Sequence, residues 1–280
     1  MRTLDVAEIT QNIKEMCIEA NHFLSKDMKY AMQMAAEKEA APLGRQILKQ
    51  LQENMKIAEE DMIPICQDTG MAVIFMEVGQ DVHFEGGSLE EAIHEGVRQG
   101  YSEGFLRKSV VKDPIYRDNT KDNTPAVIHY NIIAGDKVRI TVAPKGFGSE
   151  NMSRVFMLKP ADGIEGVKNA VLTAVKDAGP NACPPMVVGV GIGGTFEKCA
   201  LLAKRALTRP LDSHSDIEYV QELEQELLDR INRSGIGPGG LGGSTTALAV
   251  NIETYPTHIA GLPVAVNICC HVNRHALRIL

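Results

Sequence analysis

No run of lysine and arginine occurs anywhere in the 280 residues, and the formal net charge is -7. A phosphate backbone is tracked by clustered positive charge, so nucleic acid is not an expected partner. A long apolar stretch is also missing: the N-terminal MRTLDVAEITQNIKEMC mixes acids among its apolar residues, which fits neither a signal peptide nor a membrane span. The expectation is a cytoplasmic protein without membrane contact. Among the six cysteines there is no CxxC pair, which removes the usual zinc-ribbon and thioredoxin spacings. A cytosolic chain of this size is not expected to carry a disulfide framework either. No internal repeat, low-complexity tract or long linker interrupts the sequence, so one domain over residues 1–280 is expected.

What is present is enough apolar residue, 44%, to fill a core. Between residues 5 and 60 the spacing of Val6, Ile9, Ile13 and Cys17, of Met28, Met32 and Ala35, and of Ile47, Leu51 and Met55 predicts three helices. MAVIFMEV, at residues 71–78, reads as a buried strand, and Ser88 with Glu91 opens a capped helix. AVIHYNII and KVRITVAP flank Gly135-Asp136 and read as an antiparallel hairpin. Helices follow at residues 164–178, 196–207 and 216–233, with strands in MVVGVGI, TTALAVNI and PVAVNI. The predicted fold is α/β (mixed α+β), with a helical layer over residues 1–60 and a mixed-sheet part with flanking helices over residues 61–280.

Cys17 and Cys199 lie on apolar helix faces, where a free thiol behaves as a small buried hydrophobe. Cys66 in PICQDTG, Cys183 in GPNACPP, and Cys269 with Cys270 in VNICCHVNRHA fall instead at turns or strand ends, where side chains can leave the interior and meet others. Such thiols are open to three readings: separate core thiols, ligands converging on one iron–sulfur cluster, or, with His258, a closed structural zinc site. GVGIGGT gives Gly189, Gly191 and Gly194 the outline of a dinucleotide fingerprint. The polar, proline-broken segment after the next helix opposes that reading, and tight strand-to-helix packing competes with it. SGIGPGGLGGSTT lacks a P-loop lysine and precedes a strand, so it reads as a loop that a ligand or neighbouring chain approaches closely. In KGFGSEN the glycines free backbone amides for an anion, and Lys145 adds positive charge.

PICQDTG, LRKS, DNTPAVIH, KGFGSEN, NACPP, GIGPGGLGGSTT and YPTHIAGLPVAVNICCHVNRHA form an ordered series over residues 64–276. This series resembles the α-subunit, equivalent to the N-terminal half, of the class I iron–sulfur fumarase and tartrate dehydratase family. KGFGSEN and PTHIAGLPVA look more like the fumarase branch than the tartrate branch. The resemblance implies a [4Fe–4S] cluster held by Cys66, Cys183 and Cys270, with Cys269 as the alternate third ligand. Three thiolates leave one iron open as a Lewis acid for a substrate carboxylate and hydroxyl.

By the same resemblance, Gln67 and Asp68 reach the substrate, Arg107 pairs with its distal carboxylate, and Gly148 offers a backbone contact. His258 assists proton movement to and from the leaving water. No role is implied for Lys145, Asp122, Asn123, Thr124 or His129. The implied activity is reversible hydration of fumarate to (S)-malate, with L-tartrate dehydration as the alternative within the family. The implied partner is a β-subunit that carries the base and further carboxylate contacts, in an α2β2 assembly.

Overall fold

The periodic segments become eight α-helices and ten strands, and the computed structural model describes residues 1–280. In chain order these are β1 (Arg2–Asp5), α1 (Val6–His22), α2 (Lys26–Lys38), α3 (Pro42–Glu60), β2 (Met71–Gly79), β3 (Val82–Glu85), α4 (Leu89–Glu103), β4 (Val127–Ile133) and β5 (Val138–Lys145). They continue with α5 (Phe147–Glu150), β6 (Arg154–Leu158), α6 (Gly163–Ala178), β7 (Met186–Gly193), α7 (Phe196–Ala206), α8 (Glu218–Asn232), β8 (Ala247–Tyr255), β9 (Leu262–Cys269) and β10 (Ala276–Ile279). The fold is mixed α/β, as its sequence predicts. No helix is long and apolar enough to cross a membrane.

The chain forms two compact units, the first built from Met1–Leu24, Met55–Phe147 and Arg274–Leu280, the second from Ser25–Asn54 and Gly148–Asn273. The three leading helices are therefore divided between the two units. Ile9, Ile13, Met16 and Cys17 of α1 share a buried cluster with Ile93, Val97 and Tyr101 of α4. In the second unit α2 packs by β8, and Asp27 at its start accepts the Leu211 N–H at 2.8 Å. All three helices share one apolar period, and only their partners separate them.

In the first unit the sheet order is β10-β5-β2-β4. β2 runs parallel to β4, from Val73 opposite Val127, and antiparallel to β5, from Met71 opposite Lys145. The expected hairpin of residues 126–144 is thus corrected: β4 and β5 are consecutive but β2 lies between them. The connection crosses the end of β2, where Gln80 N donates to Ile133 O and Gly79 N to Lys137 O, each at 2.8 Å. A Cβ on Gly79 would stand 2.4 Å from Gly135 O, so a glycine is needed for the crossing. The continuous apolar run of β2 suits a strand paired on both edges.

The second sheet repeats the plan in the order β6-β9-β7-β8. β7 is parallel to β8 and antiparallel to β9, so again the central strand splits two strands that follow one another. Each unit thus places an adjacent parallel pair, β2 with β4 and β7 with β8, beside an antiparallel strand on the other edge of the first of the pair, although the sequence shows no repeat. Val171, Val175, Val188, Leu227, Ile252 and Val266 are among the second core. One consequence positions the site. Antiparallel pairing sets the entry of β2 beside the exit of β5, and the entry of β7 beside the exit of β9, with Val187 opposite Cys269.

Candidate functional site

In the first unit, the turn ICQDTG leads into β2. Ile65 is buried and its N–H donates to Asn21 O at 2.9 Å, at the end of α1. The next two side chains stay accessible: Cys66 is half-buried, Gln67 is exposed, and the thiol donates to Gln67 Oε1 at 3.5 Å. The carbonyls that follow are all engaged. Arg274, itself buried, donates to Asp68 O. The Tyr101 hydroxyl donates to Thr69 O at 2.8 Å and to Gly70 O at 3.1 Å, and Asn123 Nδ2 donates to Gly70 O at 3.1 Å. Tyr101 and Asn123 have no exposed surface, and burial pushes the Tyr101 phenol well above its usual range. Buried carbonyls left unpaired would be costly, so these three side chains form the floor on which the turn rests.

Asp68 links this turn to the exit of β5. Its Oδ1 accepts the Gly70 N–H at 3.0 Å and its Oδ2 accepts the Phe147 N–H at 2.9 Å. Arg107 lies on the long connection between α4 and β4, with its side chain exposed. Its carbonyl accepts the Thr69 hydroxyl at 3.1 Å, and Asn123 Oδ1 accepts Ser109 N–H at 2.7 Å. The structure therefore brings Cys66, Gln67, Asp68 and the Arg107 segment together.

DNTPAVIH supports that connection. Asp122 accepts the Thr124 N–H at 3.0 Å and its hydroxyl at 2.8 Å, and pairs with Arg98 at 3.2 Å. Burial acts to raise the Asp122 carboxyl, but these hydrogen bonds outweigh it and hold the group at about 2. His129 stacks on Phe75 with ring centroids 5.2 Å apart.

The second unit gathers Cys183, Cys270 and Gly148. Cys183 is exposed, with a left-handed φ of 51°, at the end of the short turn Gly179–Ala182 that enters β7. Its carbonyl accepts His271 N–H at 3.3 Å and His271 Nδ1 at 2.9 Å. A carbonyl only accepts, so Nδ1 carries the proton. Cys270 follows β9 directly and is half-buried, whereas Cys269 is buried inside β9. A hydrogen bond with Cys269 and burial together hold the Cys270 thiol well above its ordinary value. Gly148 sits in α5, where only Asn181 O, 3.9 Å away, would meet an added Cβ. That segment is fastened to β9: Asn267 Nδ2 donates to Glu150 Oε2 at 2.8 Å and Ser153 Oγ at 2.7 Å, and Lys204 also pairs with Glu150.

His258 is not brought to this end. It is exposed on the loop between β8 and β9, anchored where Thr257 Oγ1 donates to Gly194 O at 2.9 Å, past the exit of β7. Eight residues of β9 separate that loop from Cys270, roughly 25 Å of extended chain. The sequence distance of twelve residues hides this, because the intervening segment is a strand. His258 Nδ1 accepts the Ala260 N–H at 3.1 Å, which leaves the ring proton on Nε2.

The glycines of GVGIGGT are packing residues. Gly189 and Gly191 lie inside β7, and a Cβ there would stand 2.2 Å from Ala203 O and 2.0 Å from Cys199 O. Their bare backbone lets α7 lie directly on the strand, which answers the dinucleotide reading. Tyr101 and Arg274, which brace the candidate turn, are residues that sequence reasoning missed. Their targets are backbone carbonyls, and no side-chain pattern marks those.

None of the six cysteines forms a disulfide. Within neither unit do three His, Cys, Asp or Glu side chains gather into a metal-holding group. What the units do offer is thiols at strand ends: the exposed Cys183 and half-buried Cys270 on two tied segments, and the half-buried Cys66 on a braced turn. That donor set, three thiols free of disulfides and backed by ordered backbone, fits an iron–sulfur cluster in ligand type.

A family model described as fumarate hydratase (Fumerase) matches residues 10–278. The chain is 43% identical over 277 residues to the "Putative L(+)-tartrate dehydratase subunit alpha" of Methanocaldococcus jannaschii, covering 97% of each chain. It is 30% identical over 272 residues to the L(+)-tartrate dehydratase subunit alpha of Escherichia coli K12, covering 96% of this chain and 89% of that one.

Proposed function

The chain belongs to the fumarate hydratase family, and from that premise we propose that it is the α-subunit of a [4Fe–4S] hydro-lyase that interconverts (S)-malate and fumarate. The carrying observation is the assembly of Cys183, Cys270 and Gly148 at one end of the second sheet, in a chain whose Cys66 turn is braced by buried hydrogen bonds. Cys66, Cys183 and Cys270 would hold the cluster, whose open iron supplies Lewis-acid polarisation of a carboxylate and its neighbouring hydroxyl. Cys269, buried within β9, gives way to Cys270 as the third ligand. Membership in a hydro-lyase family displaces the structural zinc reading.

The remaining chemistry belongs to side chains. Each Asp68 oxygen already accepts one backbone N–H, which leaves one lone pair on each for a substrate hydroxyl. Asp68 in this reading is a fixed acceptor, Gln67 a neighbouring amide contact, and the exposed Arg107 a fork for the distal carboxylate. Gly148 presents backbone without a side chain. His258 exchanges protons through Nε2 in this reading, and because it lies at the far end of the sheet we assign it to the site of a second α-chain in an α2β2 assembly.

Two features support a partner subunit. The relatives are named as alpha subunits, and large apolar side chains stand exposed beside proposed site residues: Phe105 at 90%, Ile115 at 81% and Tyr116 at 85% on the Arg107 connection, and Ile259 at 91% next to His258. Apolar exposure of this kind marks surfaces that another chain covers. In this reading the protein works in the cytoplasm, a compartment that keeps thiols reduced.

Turnover tests the reading. Purified anaerobically, this chain alone is expected to take up a brown cluster with acid-labile sulfide yet show little hydratase activity, and activity is expected on adding the β-subunit. The names of the relatives favour a second substrate, L-tartrate, so kcat/KM is to be compared for malate and tartrate. Preference for tartrate would overturn the malate assignment, and full turnover without a partner would overturn the two-subunit reading. For His258, mixing His258→Ala α-chains with Cys66→Ala α-chains, each inactive with β, is expected to restore part of the activity. No recovery would reject the cross-chain role.

A further inference from the structure

We propose that Thr69 is a positioning residue for substrate binding: its buried hydroxyl, by donating to the Arg107 carbonyl, sets the Arg107 guanidinium against the turn that carries Cys66 and Gln67. The proposal rests on the reading of Arg107 as the partner of the distal carboxylate.

The turn does not need this hydroxyl for its own shape. Thr69 is 2% exposed and its carbonyl is already held by Tyr101, while Arg274 and Asn123 fix the carbonyls of the residues on either side. The hydroxyl donates to Arg107 O, at 3.1 Å. Arg107 does need help. It sits in a connection without helix or strand beyond one isolated bridge, Val111 with Asn119, before β4 begins at Val127, two residues after Phe105, which is 90% exposed with a φ of 53°.

Two stitches fasten that connection to the turn. Thr69 bonds residue 107, and Asn123 takes the Ser109 N–H at 2.7 Å while giving its amide to Gly70 O at 3.1 Å. One stitch fixes a point, and two fix a direction. The segment 107–109 is thereby held in orientation against residues 69 and 70, immediately beyond Gln67 and Asp68. A guanidinium grips a carboxylate through two parallel hydrogen bonds, so its orientation governs binding. Asn123 also supports the turn itself, so it cannot be altered cleanly. The Thr69 hydroxyl can, because valine fills the same space without the donor.

The test uses the complete enzyme with its cluster and β-subunit. Thr69→Val is expected to raise KM about tenfold and to weaken succinate binding, measured by equilibrium titration, by a similar factor, with kcat within about twofold. Iron and sulfide content should be unchanged, and Thr69→Ser should restore KM. The decisive comparison is in an Arg107→Ala background, where Thr69→Val should add less than about twofold, because residues acting through one contact are not additive.

An unchanged KM in Thr69→Val, or an equal rise with and without Arg107, would overturn the proposal while leaving the role of Arg107 standing. If Arg107→Ala itself leaves KM and succinate binding unchanged, the reading of Arg107 fails instead. Should Thr69→Val lose its cluster, Thr69→Ala carries the same comparison. Cluster loss from both would also overturn the proposal, assigning Thr69 to the support of Cys66.

Discussion

Alanine in place of Cys66, Cys183 or Cys270 is expected to give a colourless protein after anaerobic reconstitution, with activity in the presence of the β-subunit reduced at least about a thousandfold. Losing an open Lewis-acidic iron removes several kcal/mol of transition-state stabilisation, and each 1.4 kcal/mol is about tenfold in rate. The contrast with the other three cysteines makes the expectation specific. Cys17 is wholly buried in α1, and burial pushes its thiol up to about 12. Cys199 is buried, and its thiol donates to Phe196 O at 3.2 Å within α7. Cys269 lies inside β9, opposite Val187. Alanine at these three should cost stability, as any buried truncation does, but leave iron and sulfide content intact. Iron and sulfide analysis on all six variants decides the matter, and equal loss from all of them would sink the ligand assignment.

Gly70→Ala is expected to be strongly destabilising. Its φ is +77°, where an L side chain is strained, and a Cβ would stand 2.7 to 2.8 Å from the backbone C, N and O of Lys145. Those atoms end β5 and belong to the ladder that pairs Met71 with Lys145, so they cannot step aside as a flexible side chain can. Strain of about 1–3 kcal/mol and overpacking of about 1–3 kcal/mol together give a loss of roughly 2–6 kcal/mol. A control separates the two contributions: Gly135 has a φ of +93° but nothing within 4 Å of its Cβ position, so Gly135→Ala should carry the strain alone. Thermal unfolding of both variants is the measurement. A Gly70→Ala midpoint no lower than that of Gly135→Ala would show that the approach to Lys145 is unimportant.

Much of this architecture can be read from local pattern, because apolar period is local. The strand at residues 71–78 and the capped helix after Ser88 follow from spacing and from one hydroxyl. Pairing is not local. Gly135-Asp136 between two β-branched runs is sound turn chemistry, yet a third strand lies between the runs, and the clue was the unbroken apolar run of β2, which is paired on both edges. The short edge strands β6 and β10 escaped notice because five and four residues carry little periodicity. In the site, the cysteines announce themselves through their turns. Tyr101 and Arg274 do not, since they serve carbonyl groups that every residue possesses. His258 enters through the family resemblance alone, and no local pattern shows that the strand β9 stands between its loop and Cys270.

The return of Arg274–Leu280 to the first unit bears on how the protein is made. β10 pairs with β5 across more than a hundred residues, with Ala276 opposite Val142, and Arg274 donates to Asp68 O beneath the Cys66 turn. Chains emerge from the ribosome N-terminus first, so every residue of the second unit has been synthesised before this donor appears. The segment around Cys66 is among the early products of translation, yet it waits for residue 274 to be finished. In the proposed cluster reading, insertion therefore follows synthesis of this chain, when a late arginine has braced the turn of an early cysteine.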